Sequence, residues 1–317
     1  KTLGESFYNP FLGGVVSELV DKNIAQESDG AIAVFFSDDK QLADKPAIVR
    51  KSDGASNYMT TDLATLRYRI NEWSPDEIIY VTDGRQQLHF QQLFKIFNKW
   101  KSDACVRLEH VWFGSILGAD GKPFKTRSGE VVGLADLLSE SEERAFKVVS
   151  DKNPHIEENE RQNIARVVGL GALKYADLSN NRQSDYIFDW DKMLALQGNT
   201  APYLQYAYTR MRSIDRKADR PDYSQVNIVV STPEELSLGK HLINFGQVLN
   251  MVADDHRPNF LCNYLYELAT HFSRFYEACP VLKAEAEKES RLALCQLTSR
   301  VLRQGLDALG IEVTEVM

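Results

Sequence analysis

The feature that most constrains this chain is a change of hydrophobic rhythm partway along it. Through residue 117, short β-rich runs alternate with stretches of helical spacing. From about residue 134 onward, nearly every apolar run recurs at three and four residues. Short apolar or alternating runs suit strands and a 3.6-residue recurrence suits helices, so two fold classes follow one another in a single chain. With 317 residues there is enough chain for two separate cores. The expectation is an α/β unit with a parallel sheet over residues 1–138 and an all-helical bundle over 139–317.

Within the first part, "AIAVFF" (31–36) and "AIVRK" (47–51) read as short strands, with Asp29-Gly30 marking a turn before the first. In "TTDLATLRYRINEW", Leu63, Leu66, Ile70 and Trp73 fall at helical spacing, and Thr60 or Thr61 is placed to cap the helix. "EIIYVTDG" reads as a buried strand, "LHFQQLFKIFNKW" as an amphipathic helix, and "VRLEHVWFGSIL" as the next buried strand. Alternation of this kind is the rhythm of a parallel α/β sheet. In the second part, "STPEELSLGKHLINFGQVLNMV" reads as one helix opened by a capping box. Thr232 is the cap, Pro233 the first residue and Glu235 the reciprocal partner, with Leu238, Leu242, Phe245 and Leu249 as the apolar stripe. A last helix runs from about Ala284 to Leu309, closed by Gly310.

Composition removes several functional classes. No apolar run approaches the roughly 18 residues that span a bilayer. A net charge of −8 argues against nonspecific coating of nucleic acid, although a local basic face is compatible with it. Cys105, Cys262, Cys279 and Cys295 lie far apart without a C-x-x-C, as expected of reduced thiols in a cytoplasmic protein. The histidines are scattered too, so no metal is expected. The chain opens on Lys1 rather than Met and reads as a processed chain or a cut fragment. Neither a G-x-x-x-x-G-K-[ST] loop nor a G-x-G-x-x-G turn is present.

Three stretches carry candidate chemistry. Ligands of parallel sheets sit at the carboxyl ends of strands, where "NYMTTD" places Tyr58 and Asp62 four apart and "TDGRQQLHF" places Asp83, Gln86 and His89. A carboxylate beside an amide and a phenol suits a planar cation such as a guanidinium. The plainer alternative is that Asp62 only favours a helix N-terminus, and that His89 bonds backbone at a helix start. In "GADGKPFKTRSGE", Asp120-Gly121 suits a hairpin turn, from which Lys122, Lys125 and Arg127 project before a helix beginning near Leu134. These three are either solvated or able to neutralise a polyphosphate. Finally, "NTAPYLQYAYTRMRSIDRKADR" (199–220) interleaves aromatic and basic residues. Tyr203, Tyr206, Arg210 and Lys217 fall near one face, flanked by Arg212 and Arg216. Such a face serves either core packing or the stacking of splayed RNA bases.

Four blocks together carry a resemblance: "KSDGASNYMTTDLATLRYRI", "FGSILGADGKPFKTRSGE", "GALKYADLSNNRQSDYIFDWDKMLALQGNTAPYLQYAYTRMRSI" and "RLALCQLTSRVLRQGLDALGIEVTEVM". The chain resembles arginyl-tRNA synthetases over essentially its whole length and in order. The resemblance implies a class I, Rossmann-type catalytic domain over 1–138 and a helical anticodon-binding domain of DALR type over 139–317. It implies ATP-dependent activation of arginine and transfer to the 3′ end of tRNA-Arg, with Mg²⁺ accompanying ATP and no tightly bound cofactor. It also implies a cytoplasmic monomer with no membrane partner. By the same resemblance, Tyr58, Asp62 and Gln86 read the arginine side chain. Lys122, Lys125, Arg127 and His89 belong to the ATP and phosphate site, and Tyr203, Tyr206, Arg210 and Met317 face the anticodon.

Two departures qualify the likeness. Where the class carries K-M-S-K-S, this chain has Pro123-Phe124-Lys125-Thr126-Arg127, and no H-x-G-H occurs anywhere. A further domain that the family carries on the N-terminal side has no counterpart here. The expectation is therefore the C-terminal part of a synthetase, inactive by itself in forming the adenylate. The alternatives are a non-catalytic tRNA-binding module and, less in keeping with the aromatic–basic helix, an α/β enzyme for some cationic metabolite.

Overall fold

Asp29 and Gly30 both take positive φ, 52° and 77°. A two-residue turn of this hand matches the twist of the strands it joins. It links β1 (Gln26–Ser28) to β2 (Ala31–Val34), and β3 (Ala47–Arg50) pairs antiparallel with the other edge of β2. The computed structural model describes residues 1–122, 133–218 and 222–317, and the chain divides into two compact units, Lys1–Phe113 and Gly114–Met317.

In the first unit a short 3₁₀ turn, Glu5–Phe11, leads into α1 (Leu12–Asp21) ahead of the antiparallel sheet. Then follow α2 (Tyr58–Trp73), β4 (Glu77–Asp83), α3 (Gln87–Trp100) and β5 (Arg107–Phe113). Only β4 and β5 form the anticipated parallel pair, in register from Glu77↔Arg107 to Asp83↔Phe113. The earlier strands make their own antiparallel sheet because no helix between β2 and β3 carries the chain back over it. Leu63, Leu66, Leu93, Ile96, Phe97 and Trp100 fill the core between the helices and the strands. The buried strands expected here are buried on one face only. Ile78 and Tyr80 pack toward α3, whereas Ile79 and Val81 are 43% and 64% exposed, since successive strand residues point to opposite faces and α2 and α3 cover just one. The α2 cap is Asn57 rather than Thr60 or Thr61: its Oδ1 accepts from the Thr60 amide, while the Thr60 hydroxyl donates to the Val49 carbonyl.

In the second unit β6 (Ile116–Leu117) pairs in parallel with β7 (Tyr186–Ile187), a small exception to an otherwise helical architecture. "VRLEHVWFGSIL" is thus two strands. The break falls at Gly114, where a Cβ would lie 2.7 Å from the backbone of Ser184, and whose amide donates to the Arg182 carbonyl. The helices are α4 (Leu134–Lys152), α5 (Glu158–Leu178), the short α6 (Trp190–Met193), α7 (Ala201–Lys217), α8 (Pro233–Ile243), α9 (Phe245–Asp255), α10 (Asn259–Ala278) and α11 (Lys288–Ala308). Their core holds Leu204, Met211, Leu238, Leu265, Phe272 and Leu302.

The capping box of α8 is present with both of its bonds, but the single helix expected there is two. Asn244 keeps right-handed dihedrals (φ −80°, ψ −6°), but its amide turns to the His241 carbonyl three residues back, which tightens the turn, and this polar, poor helix former is followed two positions on by Gly246. The last helix starts at Lys288, later than expected, and Gly310 follows it at φ 68° in the left-handed geometry that only glycine adopts without strain. All four cysteines are free, Cys105 exposed and the others buried. Burial pushes the Cys262 thiol up to about 12. Among the described residues no helix is long and apolar enough to cross a membrane.

Candidate functional site

In the first unit the site is built where two helices begin. The N-terminus of α2 is tied to β3: Asn57 donates to the Ile48 carbonyl (2.7 Å) and caps the first turn. This anchors Tyr58 and Asp62, which are one helical turn apart and share a face. The start of α3 is fixed from β4, because Asp83 accepts from the Arg85 amide and guanidinium, both at 2.8 Å. The hydrogen bonds from Arg85 hold the Asp83 carboxyl below its ordinary range. Gln86 ends the intervening 3₁₀ turn, exposed, and His89 follows in the first turn of α3.

These two helix starts converge. His89 donates from Nε2 to Asp62 Oδ2 at 2.7 Å, and its ring meets the edge of Tyr58 with centroids 4.9 Å apart. The ring of Phe90 lies 5.0 Å from His89 and 4.3 Å from His110, whose Nε2 is 2.8 Å from the Thr82 hydroxyl. Tyr80 is half-buried beside Phe90, and loss of solvent around its hydroxyl raises its phenol well beyond the ordinary value. The result is a carboxylate supported from behind by an imidazole and flanked by an exposed phenol. Such a site has the charge and planarity to receive a guanidinium. The structure thus brings Tyr58, Asp62 and His89 together. It does not show the backbone bond considered for His89: Nε2 goes to a carboxylate, and Nδ1 is buried without a partner among the described residues.

Of the four phosphate candidates, His89 has its Nε2 engaged with Asp62, and Lys122 is exposed at the end of a tight turn in which the Gly118 amide donates to its carbonyl (2.8 Å) and Gly121 takes φ 71°. Lys125 and Arg127, with Pro123, Phe124 and Thr126, lie outside the described residues, as do Asp219 and Arg220 of the basic stretch.

The second site is on α7, capped by Thr200. Here the two interpretations of the aromatic–basic helix separate residue by residue. Tyr208 is core, 2% exposed, whereas Tyr206 is 46% exposed. Tyr203 is half-buried against Tyr266, and Arg210 lies over the Tyr276 ring at 4.8 Å. Arg212 and Arg216 are drawn to one acid of the C-terminal segment: Glu315 accepts from Arg212 Nε (2.9 Å) and Tyr208 (3.2 Å), and lies 3.8 Å from Arg216. Burial favours the neutral form of Glu315, but the hydrogen bond and charge of Arg212, with Tyr208 and Arg216 added, together outweigh it, and the carboxyl sits below its ordinary value. Further along, Arg166 pairs with Glu312 at 2.7 Å and Gln205 donates to the Glu312 carbonyl at 2.9 Å. The segment is thereby laid against α5 and α7.

These contacts shape a cleft of about 340 Å³, lined by Tyr206 and Met317 together with Val149, Val168 and Leu194, and with Lys152 and Asn153 as its polar members. Apolar walls, an exposed ring and a few polar groups suit a flat base turned out of its stack. Sequence spacing had no means of finding Lys152, Asn153, Leu194 or Glu315, because they come from three segments distant in sequence from one another.

Comparison with known proteins bears on both sites. The family described as "tRNA synthetases class I (R), catalytic domain" matches residues 1–190, and the "DALR anticodon binding domain" matches 204–317. An arginine–tRNA ligase of Chromobacterium violaceum is 52% identical over 318 residues, covering 99% of this chain and 55% of that relative. One from Klebsiella pneumoniae is 48% identical over 323 residues. The crystal structure of arginyl-tRNA synthetase from Plasmodium falciparum superposes with a TM-score of 0.87 at 31% identity, covering 100% of this chain and 54% of that one. The chain thus spans about half the length of the curated relatives it matches.

Proposed function

Since this chain belongs to the class I (R) tRNA synthetases, we propose that it supplies the arginine-reading and anticodon-reading parts of an arginine–tRNA ligase. We assign the catalytic part to residues 1–138 and the anticodon-binding part to 139–317. The observation that carries the proposal is the Asp62 carboxylate, held by His89 at 2.7 Å beside the exposed ring of Tyr58. Asp62 takes the guanidinium of L-arginine, with Tyr58 and Gln86 closing around it. In the reaction, the arginine carboxylate attacks the α-phosphate of ATP, one P–O bond breaks and pyrophosphate leaves. A ribose hydroxyl at the 3′ end of tRNA-Arg then attacks the adenylate carbonyl and AMP departs. No covalent enzyme intermediate is required, so catalysis is positioning together with stabilisation of phosphate charge. Lys122, Lys125 and Arg127 are the assigned cations for that charge. Mg²⁺ enters with the phosphates of ATP. Tyr206 and Met317 receive an anticodon base, with Tyr203 and Arg210 beside them. The protein is taken to act as a monomer in the cytoplasm.

Calorimetry of this chain with L-arginine and with L-citrulline, its neutral isostere, tests the arginine site. Arginine should bind, citrulline should not, and Asp62→Asn should weaken arginine by roughly 10- to 150-fold, the range of a hydrogen bond to a charged group. Equal binding of the two ligands, or an unaffected Asp62→Asn protein, refutes the assignment.

A further inference from the structure

We infer that His89 is a positioning residue for guanidinium recognition, fixing through one hydrogen bond and one ring contact the two side chains that meet the ligand. The inference rests on the arginine assignment above and adds the device that makes Asp62 selective. Of the pair, the histidine is the more enclosed: the His89 side chain is 11% exposed and that of Asp62 32%. His89 therefore stands behind the carboxylate, not in front of it.

The bond at 2.7 Å uses Nε2–H and one lone pair of Oδ2. It fixes the plane of the carboxylate while leaving Oδ1, which has no hydrogen bond among the described residues, and the outer side of Oδ2 for a ligand. Two parallel N–H groups of a guanidinium need that plane held still, because a bidentate pair loses its geometry when the carboxylate rotates. An imidazole donating one N–H orients the acid without presenting the permanent cation that a lysine or arginine there would, so the charge that attracts the ligand is kept.

His89 is itself braced. Its ring lies 5.0 Å from Phe90, Phe90 lies 4.3 Å from His110 with the rings tilted by 31°, and His110 reaches Thr82 at 2.8 Å. Strands β4 and β5 therefore set the ring, and the ring sets the carboxylate. The same imidazole meets Tyr58 edge-on at 4.9 Å and 72°, which places that phenol at the mouth of the site although its side of the helix is open to solvent. A functional site is accurate when the groups behind it have locked rotamers. The buried Nδ1, which has no partner among the described residues, is further reason to assign the histidine to its Nε2 contact, since no second bond in the structure accounts for it.

The test is L-arginine affinity, by calorimetry, of the wild-type chain and of His89→Leu, His89→Gln, Asp62→Asn and the double variant His89→Leu/Asp62→Asn, each checked for native folding by its thermal melt. His89→Leu should bind arginine at least roughly tenfold more weakly, as expected on removing a hydrogen bond to a charged group. His89→Gln, whose side-chain amide reaches the place of Nε2–H, should recover most of that loss. In the Asp62→Asn background, His89→Leu should add little, because a residue acting through Asp62 has nothing left to orient. Equal affinity of wild type and His89→Leu overturns the inference, as does a His89→Leu loss that persists in full in the Asp62→Asn background. Failure of the wild type to bind arginine at all overturns the arginine assignment instead, and this inference with it.

Discussion

Tyr206 and Tyr208 lie on one helix, are of one residue type and face opposite ways, so truncating each separates RNA contact from core packing. The structure gives Tyr208→Ala the larger cost in stability. Its side chain is 2% exposed and its hydroxyl donates to Glu315, and removing a buried aromatic costs about 3–5 kcal/mol. Tyr206 is 46% exposed, and truncating a side chain at an open surface alters stability by about 0.5 kcal/mol. Their order reverses for RNA. If Tyr206 stacks on a base in the cleft, Tyr206→Ala forfeits about 1–3 kcal/mol of binding, a loss of roughly 5- to 150-fold in Kd. Tyr206→Phe should retain nearly all of it, because the stacking face is kept. The assay is fluorescence anisotropy of a labelled tRNA-Arg anticodon stem–loop, with a thermal melt of every variant. A folded Tyr206→Ala protein that binds the stem–loop as tightly as wild type refutes the base-stacking assignment. A melt shift as large as that of Tyr208→Ala would return Tyr206 to the core.

Two predictions concern the helical unit itself. Glu235 is 1% exposed and bonded to Arg291 at 2.7 Å, and although burial would raise its carboxyl, the Arg291, Ser231 and Thr232 donors bring it down to about 2 from 4.5. A depressed carboxyl stabilises the fold above its unfolded-state value and loses that contribution as pH falls toward the folded one. Glu235→Gln should therefore cost about 3 kcal/mol at pH 7, with the gap to wild type closing between pH 4.5 and about 2, read by hydrogen exchange of α8 and α11 amides; a gap independent of pH refutes it. At Gly169 a Cβ would come within 2.8 Å of the Ser141 carbonyl oxygen, so Gly169→Ala should force α4 and α5 apart and cost about 1–3 kcal/mol in the same measurement. An unchanged exchange profile would show that the two helices slide past each other freely.

Local signals carried the sequence reading as far as local chemistry reaches. The Asp29-Gly30 turn, the apolar spacing of Leu63 and Leu66, and the Thr232–Glu235 box all depend on residues within a few positions of each other, and all are present. What stayed hidden was set by distant competition. Thr60 does not cap α2 because its hydroxyl donates to the Val49 carbonyl, leaving Asn57 for the amide. Asp62 and His89 are separated by 27 residues and meet only because β4 returns the chain to the start of α3. Ile79 and Val81 look like core by composition, yet the pleat turns them to the uncovered face. Arg212 and Arg216 flank the aromatic–basic face in sequence, and no spacing rule can tell that Glu315 claims them from about a hundred residues away, as the separations of 103 and 99 show.

The laying of residues 311–317 across α5 and α7 also has a kinetic meaning. The bonds that hold the segment join positions 146 and 107 apart in the chain, contacts of the slowest kind because a long loop must close before any of them forms. The wall that Met317 contributes to the cleft therefore depends on loop closures of that length. We predict that recovery of the anticodon stem–loop binding proposed for the cleft lags behind recovery of helical content during refolding, and simultaneous recovery would refute late docking of this segment.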